Sequence, residues 1–83
     1  MSTIKAIECE LSPGMFSDEW LVKFHLHGNS YSFFVPRDAA QELGSGRGRL
    51  KVEVLDPADP SVVVVPDEGR TAIGVQNADL VEA

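Results

Sequence analysis

The sequence predicts a mainly β protein: a small antiparallel barrel or roll of five to six strands with one short helical turn. First among the reasons is strict alternation in the segment that starts at Trp20. Trp20, Val22, Phe24 and Leu26 share one face, and Leu21, Lys23, His25 and His27 the other, because a strand sends successive side chains to opposite sides. The second is the group Gly28, Asn29 and Ser30 that follows, before a further run of aromatic and β-branched residues at 31–35. Gly and Asn tolerate the positive φ that a tight hairpin turn requires. The third is the recurrence of Pro, Gly and Asp between short apolar runs along the whole chain, which suits a meander of strands.

Residues 2–11 open the chain as the first strand, with Ile7, Cys9 and Leu11 inward and Glu8 and Glu10 outward. Pro13 and Gly14 then start a loop that carries Met15 and Phe16. These two bulky residues are expected to fold back over one end of the core, with an exposed contact as the alternative. The hairpin comes next. Residues 36–44 read as a short helix or 3₁₀ turn, since Pro suits the first helical position, acids suit the first turn and Gly44 suits its end. Ala39, Ala40 and Leu43 form its apolar stripe, and residues 45–48 read as a flexible link.

A strand over residues 49–55 places Leu50, Val52 and Val54 inward and Arg49, Lys51 and Glu53 outward. Asp56, Pro57, Ala58, Asp59 and Pro60 must turn, because two prolines cannot sustain a ladder. Residues 61–66 form a strand that is apolar on both faces, and Asp67, Glu68, Gly69 and Arg70 reverse the chain into a last strand over 71–76. Asn77, Ala78 and Asp79 turn once and set Leu80 into the barrel end. This ending, from Thr71 onward, is similar to the way many SH3-like barrels finish, a likeness of fold that implies no function.

Composition narrows the function classes. The chain of 83 residues is one domain, 1–83, with 43% hydrophobic residues, too apolar for disorder. One cysteine excludes an internal disulfide framework and suits a reducing compartment. No stretch approaches the roughly 20 apolar residues of a membrane-spanning helix. The expected setting is soluble and cytoplasmic, with no membrane partner. The formal charge is −6, and residues 56–83 hold six acids against Arg70 alone. That excess disfavours a general nucleic-acid binder, whose phosphate contacts need positive potential.

Four constellations carry candidate chemistry. His25 and His27 at strand spacing fit two ligands of one metal ion, with Glu8, Glu10 or Glu53 as completing donors; two solvent-facing imidazoles are the simpler account. Arg47, Arg49 and Lys51 form a basic ridge beside the glycine-rich residues 44–48 and suit an anion or a single-stranded nucleic acid. Pairing of that ridge with Glu8 and Glu10 across the sheet is the competing account. The loop lacks the Lys-Ser/Thr ending of a nucleotide-binding P-loop. Asp18 with Glu19 and Asp67 with Glu68 are adjacent acids in turns, read as solvated loop charges. No nucleophile spacing occurs, so no enzyme and no cofactor are expected.

The remaining feature is surplus apolar surface. A single sheet needs one apolar face, yet Leu21, Phe34, Val63 and Val65 are expected on the second. Burying each such side chain is worth about 1.5–3 kcal/mol, so several left in water favour association; cover by barrel curvature or by the Ala39–Leu43 turn is the competing account. The sequence therefore points to a non-catalytic interaction module that binds a protein partner, or itself as a homodimer, through these residues. The Arg47, Arg49 and Lys51 ridge of an anion- or nucleic-acid-binding barrel is the alternative.

Overall fold

Alternation fixes which segments extend, and the turns fix the order in which they meet. The structure is a computed structural model that describes residues 3–56, 58–59 and 61–83. Its strands are β1 (Thr3–Pro13), β2 (Glu19–Leu26), β3 (Asn29–Pro36), β4 (Ala40–Gly44), β5 (Arg47–Val54), β6 (Val62–Val64), β7 (Ala72–Gly74) and β8 (Val81–Glu82). One 3₁₀ turn, Arg37–Ala39, precedes β4, and a second, Asn77–Asp79, precedes β8. Among the described residues no helix is long and apolar enough to cross a membrane.

All pairings are antiparallel, and the main path through the sheet is β3-β2-β1-β5-β6-β7. β1 pairs with β5 from Thr3 opposite Val54 to Glu10 opposite Arg47. Its other edge is divided. Glu10 to Pro13 pair with β2, whereas Lys5 and Ala6 pair with Glu82 and Val81 of β8. β1 thus serves three neighbours, and the sheet as a whole curls into a half-barrel. Its concave side holds Ile7, Val22, Val35, Leu50, Val52, Val54, Val63 and Val65, all fully buried. Phe24, Tyr31 and Phe33 stack beside them, the Phe24 and Tyr31 rings 5.3 Å apart. The offset contact adds to the area that these rings bury. Leu80 packs against the same core, at the end where it was expected.

The mainly β class, the inward set of β1, β2 and β5, and the turn around Asp56 stand as read from the sequence; Ser2, Pro57 and Pro60 lie outside the described residues. Ala58 N–H donates to Asp56 Oδ1 at 3.0 Å and Asp59 N–H to the Asp56 carbonyl at 3.0 Å. Aspartate makes such turns because its side chain reaches the backbone two residues on. Other local readings change. Residues 36–44 are helical only at Arg37–Ala39, and Ala40–Gly44 is a strand. Its partner is the start of β5, with Ala40 opposite Leu50 and Gln41 opposite Arg49. A cross-strand ladder outweighs the weak preferences of one apolar stripe. Leu43 sits at the register shift of that pairing and is exposed.

Residues 45–48 are correspondingly not a flexible link. Ser45 and Gly46, at φ 56° and 76°, make a two-residue hairpin turn that joins Gly44 to Arg47. Likewise His27 and Gly28, at φ 51° and 83°, turn the first hairpin, leaving Asn29 in the strand opposite Leu26. Met15 and Phe16 do not cover the core. They are 77% and 67% exposed, held in a loop where Glu19 Oε1 accepts the N–H groups of both residues.

Gly48 is buried on the concave side of β5, opposite Cys9. A Cβ there would strike the Gln41 carbonyl oxygen and the Leu11 side chain. The glycine lets β4 and β1 approach β5 on either side. Gly48→Ala is expected to destabilise the protein by about 1–3 kcal/mol through overpacking. Urea unfolding measures it, and an unchanged midpoint would show that the close approach is not needed.

Candidate functional site

The convex face of the sheet carries the candidate surfaces, because alternation that buries one set of side chains exposes the other. On the β2–β3 arm Leu21 lies opposite Phe34, Lys23 opposite Ser32, and His25 opposite Ser30. Phe34 is 44% exposed and Leu21 half-buried. These two expected contact residues are therefore neighbours on one outward strip. Val63 and Val65 are not part of it. Both are fully buried, because Val63 pairs with Val54 and shares its concave side. The outward members of the valine run are Val62, which is exposed, and Val64, which is half-buried. A run apolar at every position gives no signal for which parity faces in.

Beside Phe34 the half-barrel leaves a groove of about 260 Å3. Phe34, Pro36 and Pro66 supply its apolar lining, and Asp18, Glu19, Asp67 and Glu68 its carboxylates. The curl of the sheet brings the last turn of β3 to the corner between β6 and β7. Two acidic pairs separated by almost fifty positions thus meet at one site, which no local pattern reveals. Two of the four carboxylates are held in place. Glu19 is fixed by the loop amides already described, and Asp67 accepts from Thr71 N–H and Thr71 Oγ1, each at 2.8 Å. Asp18 and Glu68 are exposed. The adjacent cation, Arg37, is engaged elsewhere: its guanidinium lies 4.2 Å from the Trp20 ring centroid, and its Nε donates to the Ser17 carbonyl at 2.6 Å. Cation and ring attract through the ring quadrupole.

The basic ridge faces acids in register. Arg47 lies opposite Glu10 and Arg49 opposite Glu8, while Lys51 lies opposite Ala6. Arg49 Nε is buried and has no hydrogen-bond partner among the described residues. The three cations do share the convex face, yet two carry a carboxylate directly across the ladder, which lowers the local positive potential that an anion needs.

The two histidines part company. His25 Nδ1 is 2.9 Å from Ser30 Oγ on the neighbouring strand. His27 leaves the strand at its positive φ, and its Nε2 donates to Asp79 Oδ2 at 2.8 Å. The shared face expected from i and i+2 spacing lasts only while the chain stays extended. No group of three His, Cys, Asp or Glu residues able to hold a metal ion occurs among the described residues. Asp79 Oδ2 also accepts Gln76 N–H at 2.7 Å. This bond, aided by His27, holds the Asp79 carboxyl below its ordinary value. Burial pushes the Cys9 thiol up to about 11, so at neutral pH it is a small apolar core residue and not a nucleophile.

No family model matches the chain, and neither the curated proteins nor the solved structures contain a match.

Two predictions follow from these groups. Asp79 has a depressed pKa in the fold, so its contribution to stability is complete above the ordinary aspartate value. It is lost as pH falls from about 4 through the lower folded value. Asp79→Asn is expected to flatten the decline of urea-unfolding free energy below about pH 4; an unaltered slope would remove Asp79 from the acid transition. Cys9 is expected to resist a thiol reagent in native buffer and to react at once in denaturant. Equal rates in the two solvents would place the thiol at the surface.

Proposed function

We propose that this chain is a non-catalytic interaction module that binds a protein partner, or a second copy of itself, through the outward apolar strip of Leu21 and Phe34. The observation that carries the proposal is the direct cross-strand pairing of these two residues on the convex face, with Phe34 open to solvent. Exposed Met15 and Phe16 extend the apolar character at the same end of the sheet, where Asp18 carbonyl accepts Arg37 N–H and ties the loop to the end of β3. Exposed Phe and Met side chains are among the residue types enriched in the buried cores of protein interfaces. Closure by a 3₁₀ turn and a short strand on β1 supports an SH3-like reading of the scaffold.

The anion-binding alternative, through Arg47, Arg49 and Lys51, draws support from the buried Arg49 Nε, which has no hydrogen-bond partner among the described residues. It is the weaker reading because Glu8 and Glu10 oppose that ridge in register.

Phe34→Lys is expected to abolish association while changing unfolding free energy by no more than about 1 kcal/mol, the scale of one cross-strand pair. Analytical ultracentrifugation reads self-association, and cross-linking in a native extract reads capture of other chains. Identical complexes formed by the parent and a folded Phe34→Lys protein would refute the apolar strip as the contact.

A further inference from the structure

We propose that the free edge of β3, where it meets the Pro66 to Glu68 corner, takes up an extended basic peptide as an added strand. This rests on Phe34 being a contact residue and supplies the chemistry of the partner.

The edge itself is the first argument. The sheet ends in β3 on one side and β7 on the other. β7 has three residues, whereas β3 has eight. Short length alone protects β7. Proteins defend a long edge with Lys, with interior Pro or with a bulge, since its open N–H and C=O groups template another strand. Positions 29–35 hold no charged residue and no proline, and Pro36 comes only at the far end. The β2–β3 register runs unbroken from Leu26 opposite Asn29 to Glu19 opposite Pro36, without a bulge.

Hairpin geometry identifies the open groups. A two-residue turn at His27 and Gly28 makes Leu26 and Asn29 a hydrogen-bonded pair. Bonded and non-bonded pairs then alternate along an antiparallel ladder, so Asn29, Tyr31, Phe33 and Val35 point their backbone groups at β2. Ser30, Ser32 and Phe34 therefore turn theirs outward, at the spacing that strand addition uses.

Charge selects the occupant. The groove beside this edge has an apolar lining and four carboxylates, two of them already oriented by Thr71 and by the loop amides. Arg37 is committed to Trp20 and Ser17. The chain as a whole carries −6. A second copy would bring the same acids and the same net charge. An extended segment whose alternate side chains are Lys or Arg would instead meet Asp18 and Glu68 while its other side chains cover Phe34 and Pro66.

The test uses the full chain, isotopically labelled, and two synthetic peptides: one alternating valine and arginine, the other alternating valine and glutamate. With the arginine peptide at low salt, the expected result is slowed hydrogen exchange at the alternate amides of Ser30, Ser32 and Phe34, with shifts at Asp67 and Glu68. The glutamate peptide is expected to bind at least tenfold more weakly. Asp18→Asn combined with Glu68→Gln, two exposed changes, is expected to weaken the arginine peptide about fivefold. Ser32→Pro, which removes only an outward donor, is expected to abolish the protection, with the dispersed spectrum confirming that it folds. Equal binding of the two peptides, or binding without alternate-amide protection, overturns the proposal. Protection that develops with protein concentration and no peptide makes a second copy the occupant and overturns it too. Each of these outcomes is read independently of complex formation by Phe34→Lys, which tests the apolar strip alone.

Discussion

β1 bonds to β5 along most of its length, and its opposite edge is divided between β2 and β8. Every larger feature depends on that division. β8 takes Lys5 and Ala6 of that edge, β2 takes Glu10 to Pro13, and the two arms of the sheet curl toward each other. The bend closes a core on one side only, and a domain of this size needs that economy of surface. It also brings the end of β3 to the corner after β6. Gly48 makes the arrangement sterically possible, since any side chain at that point would meet β4 and β1 together.

The convex face then sorts by chemistry along its length. Toward the centre, β1 and β5 set Glu8 and Glu10 against Arg49 and Arg47. Toward the β3 edge, Leu21 and Phe34 replace charge with apolar surface. Asp18, Glu19, Asp67 and Glu68 line the groove at that edge. The same carboxylates serve the fold, because Glu19 organises the loop before β2 and Asp67 organises the corner before β7. A site built from side chains already fixed by backbone hydrogen bonds loses little entropy when it engages a ligand.

Much of this was legible residue by residue. Ile7, Cys9 and Leu11, then Val22, Phe24 and Leu26, then Leu50, Val52 and Val54 declare their inward face by period two, and all are buried. Leu21 and Phe34 declared the outward strip by the same rule. The rule fails where its premise does. Val63 and Val65 lie in a run without polar residues, so parity there has no marker, and pairing with Val54 decides it. His27 sits where the chain leaves the strand, so its imidazole goes to Asp79 and not beside His25. Residues 40–44 carry local helix signals that a ladder with β5 overrides.

The sequence by itself determined the mainly β class, the faces of three strands, the outward placement of Leu21 and Phe34 and the excess of acid. Those properties follow from the two-residue repeat of extended backbone and from counting charges, both of which are local. Only the tertiary structure decided that Ala40–Gly44 is a strand, that Gly48 is a packing point, and that Asp18 and Glu19 meet Asp67 and Glu68 beside an open edge. Each of these depends on partners distant along the chain, whose meeting is set by the shared edge of β1 and by no pattern within either segment.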